Sequence, residues 1–308
     1  MKNLKLILII FIAGAVSLTL EAKKIDLKYN LKKGAEIKFE ISTIQEMGQE
    51  MMGQFLETNS SLTQTIKFHV KDITPEGNYV IVKTIVKYKI ISGSDAGDME
   101  LDSETVGENT LMMQSLKWVL EPVTFVMNPK GEILEVYELD AKVDRFKEMT
   151  ENPTPEFQLI ASMAPQFASA SGIRNSVSAM LLSFPEGKVK TGKPWESVSS
   201  MKQLVNFVNT SMTQINEVNG DIAVLTQDVK IEVGEGENIM KMKGMEMEYE
   251  LEGEKKAEFT VDMKTGLVET SEGVTQISGV ITVDSPQLPA PMDFPMTIQI
   301  TDKIKRVK

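Results

Sequence analysis

Apolar and polar residues alternate with period two along most of this chain. Ile37, Phe39 and Ile41 alternate with Glu36, Lys38 and Glu40, and Ile66, Phe68 and Val70 run up to Lys71 and Asp72. From 79 to 91 the same rhythm sets Val80, Val82, Ile85 and Tyr88 beside Lys83, Lys87 and Lys89. Successive side chains of a strand point to opposite faces, so this period predicts antiparallel strands with one buried and one solvated face. The turns are legible as well. Pro75, Glu76, Gly77 and Asn78 precede one strand, and Asn128, Pro129, Lys130 and Gly131 separate the apolar runs 123–127 and 132–137. Proline at the second turn position and glycine at the fourth is the type I preference, which makes the latter a hairpin tip.

The rhythm changes in the middle of the chain. Thr154, Pro155 and Glu156 supply an N-cap, a first-turn proline and a carboxylate suited to a helix N-terminus, and Phe157, Ile160, Ala161 and Ala164 follow at helical spacing. After Pro165, a second amphipathic stretch starts with Ile173, Val177, Met180 and Leu181 and ends near Pro185 and Gly187; a shorter helix is expected over 141–149. Near the C-terminus Pro286, Pro289, Pro291 and Pro295 predict an extended connector, followed by a closing strand over 296–307.

The predicted fold is mainly β: an antiparallel curved sheet or partial barrel in two related halves, with two or three amphipathic helices inserted centrally. The segments are 1–22, 23–140 (N-terminal β-rich half), 141–187 (helical insert) and 188–308 (C-terminal β-rich half). The halves match in outline: Gly34 and Phe39 against Gly192 and Trp195, Gly77 and Asn78 against Asn219 and Gly220, and the Gly131 hairpin against Phe259, Val261 and Gly266. The spacings between matched glycines differ, so duplication and shared meander grammar both remain open readings.

Residues 1–22 differ in kind from the rest. Lys2 and Lys5 precede an uncharged stretch that begins at Leu6 and passes into Ala13, Gly14 and Ala15, the order of a secretory signal, with Ala22 the expected cleavage position. The uncharged stretch from 6 to 20 is shorter than the roughly 20 residues a spanning helix needs. The expected product is therefore exported, periplasmic or extracellular, and soluble, with no transmembrane segment in the mature chain. With no cysteine, it cannot carry a lipoprotein thioether and must be stabilised by its core alone.

Charge and composition exclude several chemistries. The net charge of −11 repels phosphate backbones, and no basic cluster with interleaved aromatics offsets it, so no nucleic-acid partner is expected. The single histidine, His69, is expected on the face opposite Phe68 and Val70, as a surface residue. Thiol catalysis and histidine-rich zinc sites are excluded, and no Gly-x-Ser-x-Gly elbow occurs. Asp95, Asp98 and Asp102 with Gly93 and Gly97 form an acidic loop whose spacing fails the EF-hand pattern. No catalytic residue, metal or cofactor is assigned.

Methionine is the outlier, at 20 residues, clustered at Met47, Met51 and Met52 and again at Met240, Met242, Met245 and Met247. Thioethers suit a soft ligand set for monovalent copper or a pliable lining for an irregular apolar ligand, while core packing is the plain account. Copper is the weakest of the three, because Lys241, Lys243 and Glu246 interrupt the series. Met240 with Met242, and Met245 with Met247, are two apart and share a strand face. Together with Phe157 and Val177 of the helical insert, these methionines are the candidate ligand-binding residues.

Lys33 and Gly34, the methionine segment 45–53, Leu101, Asp102 and Ser103, the turn 128–133, and Lys264, Thr265, Gly266 and Leu267 together carry a resemblance. On these turn and strand residues the chain resembles an uncharacterised family of exported β-rich bacterial envelope proteins, a domain of unknown function. The resemblance implies location and fold class and transfers no catalytic residue. Three functions follow, in order: a binding or carrier module for an apolar ligand such as lipid or the acyl chains of a lipoprotein; a structural or interaction module with an envelope protein as partner; and a carboxylate-dependent hydrolase.

Overall fold

The computed structural model describes residues 24–307 except 52–53, 95–96, 106–119, 138, 140–168, 203–204, 235, 237, 243–244 and 287. Residues 1–22, expected to form a signal, and the expected helices over 141–149 and 154–164 lie outside the described residues. The strands are β1 (Glu36–Met51), β2 (Gln54–Ile73), β3 (Tyr79–Ser94), β4 (Gly97–Asp102), β5 (Val123–Met127) and β6 (Ile133–Val136). After helix α1 (Ala170–Ser178) come β7 (Trp195–Lys202), β8 (Asn206–Asn219), β9 (Ile222–Val233), β10 (Ile239–Met242), β11 (Met245–Asp262), β12 (Leu267–Asp284) and β13 (Met292–Val307).

All of them form one 13-stranded sheet in the order β6-β5-β3-β2-β1-β13-β12-β11-β9-β8-β7, with β4 on β3 and β10 on β11. Every pairing is antiparallel. Among the described residues the sheet is not closed; β6 and β7 end the path. It is also continuous: the last strand, β13, lies between β1 and β12 and joins the N-terminal and C-terminal strands. The expected closing strand is longer than the proline pattern suggests. β13 starts at Met292 and contains Pro295, which pairs with Val280 of β12. The β1 pairing begins only at Met296, so on that side Pro295 is an edge residue whose missing N–H costs nothing.

One core lies at one end of the strands. Phe39, Phe68 and Phe125 stack edge to face from β1 to β2 to β5, at centroid distances of 5.9 and 6.2 Å. Leu225, Phe259, Val261 and Val268 join the same cluster from the other flank, so the sheet curls around it. Segment 24–33 passes through, burying Leu27, Tyr29 and Leu31. Its backbone is held by both hairpin tips: Tyr29 N–H donates to Pro129 O at 2.7 Å, and Asn30 N–H to Thr265 O at 3.0 Å. Gly131 and Gly266 occupy those tips at φ +88° and +77°. A Cβ on Gly131 would run into the Leu182 carbonyl, and one on Gly266 into that of Lys28.

Helix α1 is capped by Ser169, whose Oγ accepts from Gly172 N–H at 2.9 Å. It packs near both terminal strands, β6 and β7. Arg174 donates to the Ile133 carbonyl and Lys83 of β3 donates to Ser176 Oγ at 2.7 Å, while Ile173 and Val177 are buried. Ile173 and Val177 thus lie on a helix as expected, but it ends at Ser178, short of the expected end near Pro185, and Met180 and Leu181 are buried beyond it.

Candidate functional site

Alternation gives the long strands two faces of different character. The inner face continues beyond the core and changes chemistry twice. First comes a polar belt: Thr43 Oγ1 donates to Asp302 Oδ1 at 2.7 Å, Lys255 Nζ lies 3.8 Å from Asp302 Oδ2, and Gln227 donates to Thr213 Oγ1 at 3.1 Å. Ser211, Thr213, Ser271 and Thr275 are buried around it. Beyond the belt lies a second apolar cluster of Val205, Phe207, Val229, Ile231, Tyr249 and Leu251. Each of these sits on the sheet or on the connection between β7 and β8.

The methionines gather around this second cluster. Met240 pairs with Met247, and Met242 with Met245, across β10 and β11. Directly opposed residues of an antiparallel pair share a face, so all four positions lie on one side of this hairpin, the side of Tyr249 and Leu251. Met240 and Met247 pack against the second cluster together with Met201 and Met296, which come from β7 and β13. The Tyr249 hydroxyl donates to Met247 Sδ at 3.8 Å, and partial burial pushes its phenol up. Met47 is half-buried on the same inner face, opposite Ile298 of β13.

The spacing of the clustered methionines is visible in the sequence, but the part played by Met201 and Met296 is not. Isolated methionines carry no periodic signal; only the register of distant strands brings them in. Met51 ends β1, but its side chain and that of Met242 lie outside the described residues, as do Met52 and Phe157 entirely. Val177 belongs to the first core, with 1% exposure, and is separated from the methionines by the polar belt. His69 is on the polar face as expected, but half-buried, and its Nδ1 has no hydrogen-bond partner. Among the described residues no cluster of histidine, cysteine, aspartate or glutamate could hold a metal ion, and no helix is long and apolar enough to cross a membrane.

The ionisable groups with altered affinity for protons serve the frame. Burial pushes the Tyr29 phenol up, although donation to the Leu182 carbonyl works against this, and burial alone raises Tyr88 to about 12. The Lys130 ammonium, hydrogen-bonded to Asp26, holds that carboxyl below its usual range; Lys67 does the same for Glu36, and Lys33 for Asp72.

These features define a class: a long-stranded, open antiparallel sheet with its core packed at one end of the strands. The chain belongs to a family of unknown function (DUF6263), whose model matches residues 76–268. No curated protein matches it. Among solved structures it is similar to an outer membrane channel from Pseudomonas putida F1, at 8% identity over 91% of this chain and 97% of that one, with a TM-score of 0.26. OccK7 (OpdD) of Pseudomonas aeruginosa gives 7% identity over 90% and 100%, with a TM-score of 0.25. DynF from the dynemicin biosynthesis pathway of Micromonospora chersina gives 7% over 92% and 85%, with a TM-score of 0.22. Likenesses of this size carry no argument about what the chain does.

Proposed function

We propose that this protein is an exported, non-catalytic binding module of the bacterial envelope that takes an apolar ligand, such as a lipid acyl chain, on the methionine-rich part of its inner face. One observation carries the reading: methionines from β7, β10, β11 and β13 converge on one apolar cluster. The belt around Asp302 and Lys255 separates that cluster from the packed core. Unbranched thioethers adapt to an irregular apolar partner better than branched side chains do, and here they are half-buried, whereas Met127 and Met180 of the core beyond the belt are fully enclosed among aromatic and branched side chains. Export rests on the charged, apolar and small-residue order of residues 1–22.

The test is lipid mass spectrometry on mature protein purified from its native envelope without detergent. A stoichiometric lipid, lost when Met240 and Met247 are both replaced by glutamine, is the expected result. A blank from folded protein sinks the reading. A second reading, an interaction module, draws on β7 (Trp195–Lys202), which ends the strand path among the described residues. Crosslinking in intact cells from position 198 would then capture an envelope protein, and capture of none would count against it.

A further inference from the structure

The face opposite the methionines is polar, and part of it forms a trough of about 900 Å³ between β2 and β9. Its layout follows from the register. Asn59, Glu46, Gln299, Gln276, Glu254 and Lys230 stand opposite one another in a single row across β2, β1, β13, β12, β11 and β9. Neighbouring members are about 4.8 Å apart, the strand spacing. Two residues along, Glu57, Gly48, Thr297, Ser278 and Glu252 form a second row. The floor, on β13 and β12, is therefore neutral amide and hydroxyl, and the walls carry carboxylates. The floor amides are already aligned: Gln276 Nε2 donates to Gln299 Oε1 at 3.3 Å, and Gln299 Nε2 to Glu46 Oε2 at 3.3 Å.

An aromatic side chain lies at one end. Phe55 is 62% exposed. A Cβ on Gly48 would stand 2.5 Å from Phe55 Cζ, so the ring lies over the glycine. A solvated strand face needs neither an exposed phenyl ring nor a glycine beneath it, and burying such a ring is favourable once a partner covers it.

We propose that this trough binds an extended oligosaccharide free of acidic groups, with hydroxyls on the amide and carboxylate rows and one sugar ring packed on Phe55. The lining selects among ligand classes. Glu46, Glu57, Glu252 and Glu254 repel anions, and the lining cation, Lys230, is paired with Glu232 at 2.7 Å. Apart from Gly48, every residue of these two rows carries a polar side-chain group, so an acyl chain lying on them would strip water from carboxylates and amides without replacing it. A protonated polyamine only donates, so it would use the carboxylates and leave the second N–H of the Gln276 and Gln299 amides to water. A hydroxyl both donates and accepts, as an amide does, so a sugar satisfies carboxylate and amide alike. A row repeating at the strand spacing also suits a polymer of short regular repeat, and pyranose chains have one.

The test is titration calorimetry of the full mature protein with cellohexaose, maltohexaose and N-acetylchitohexaose, with polygalacturonate fragments and spermine as contrasts. At least one neutral hexaose should bind, and the acidic fragments should not. Phe55→Ala should weaken that binding about tenfold, or about 1.4 kcal/mol. Gly48→Ala, which lifts the ring without removing it, should weaken it too, and Gln276→Ala should weaken it several-fold. Phe55 is exposed, so its variant should keep the parent's melting temperature. Binding of none of the three hexaoses overturns the proposal, as does an unchanged Phe55→Ala titration or binding of spermine alone. Each is independent of whether lipid is found on the opposite face.

Discussion

The two ends of the same strands are built from the same alternation and end up as different materials. In β1, Phe39 is 0% exposed beneath the curled sheet, while Met47, four side chains further along the same face, is half-buried. In β12, Leu267 and Val268 are fully enclosed, whereas Ile281 only flanks the second cluster. What differs is what crosses the face. At the closed end, segment 24–33, helix α1 and residues 180–184 run over it. Alternation selects a face, and the elements laid across that face decide how deeply it is buried.

The comparison can be broken most severely at the hairpin tips. Gly131→Ala combines positive φ with a collision against the Leu182 carbonyl, and should cost about 3 kcal/mol or more in a urea titration. Gly77→Ala has positive φ and open space around it, so it should cost only about 1 kcal/mol. If the two cost the same, segment 24–33 is not what closes this end. Next, Phe39→Ala should lose about 3–5 kcal/mol, and Met47→Ala at most about 1 kcal/mol, because its site is already partly open. Equal losses would mean that both ends are packed alike.

A smaller effect sharpens the contrast through pH. Tyr29 and Tyr88 hold their protons more tightly folded than unfolded, so their contribution is intact below about pH 10 and falls as pH rises towards about 12. Melting temperature should therefore drop across that window, and Tyr88→Phe should flatten the drop; an unchanged slope would remove Tyr88 from the account. Smallest of all, Glu36→Gln on the polar face should leave the neutral-pH melting temperature within scatter. The Glu36 carboxyl is held low by Lys67, so its contribution is present above the ordinary carboxylate range and lost as pH falls through it. A clear loss at pH 7 would show the polar face to be more structured than exposure implies.

Much of this frame is legible in the local pattern of residues. The strands through Phe39 and Phe68 lie where the period of two puts them, whereas in β3 the buried face carries Ile81, Lys83 and Ile85 and leaves Val80 and Val82 half-buried; the tip at Pro129 makes the expected bond from Gly131 N–H to Asn128 O, at 3.0 Å. The face-sharing of Met240 with Met242 and of Met245 with Met247 is legible too. That both pairs oppose one another is not, because pairing register is absent from the local pattern. Pro295 misleads for a similar reason: a proline ends a strand only where its N–H is needed, and the pairing of β13 with β1 stops at Met296, one residue short of it.

The sequence by itself determined most of the residues that share a face, where the chain turns and that no thiol is present, since these depend on neighbours a few positions away and on composition. Tertiary structure alone decided that β13 joins the two flanks of the sheet, that segment 24–33 lies in the core, and that Met201 and Met296 pack on the same cluster as Met247. It also aligned Glu46, Gln299, Gln276 and Glu254 across four strands. Those contacts join residues up to hundreds of positions apart. Their partners are chosen by the register and curvature of the whole sheet, which no local window contains.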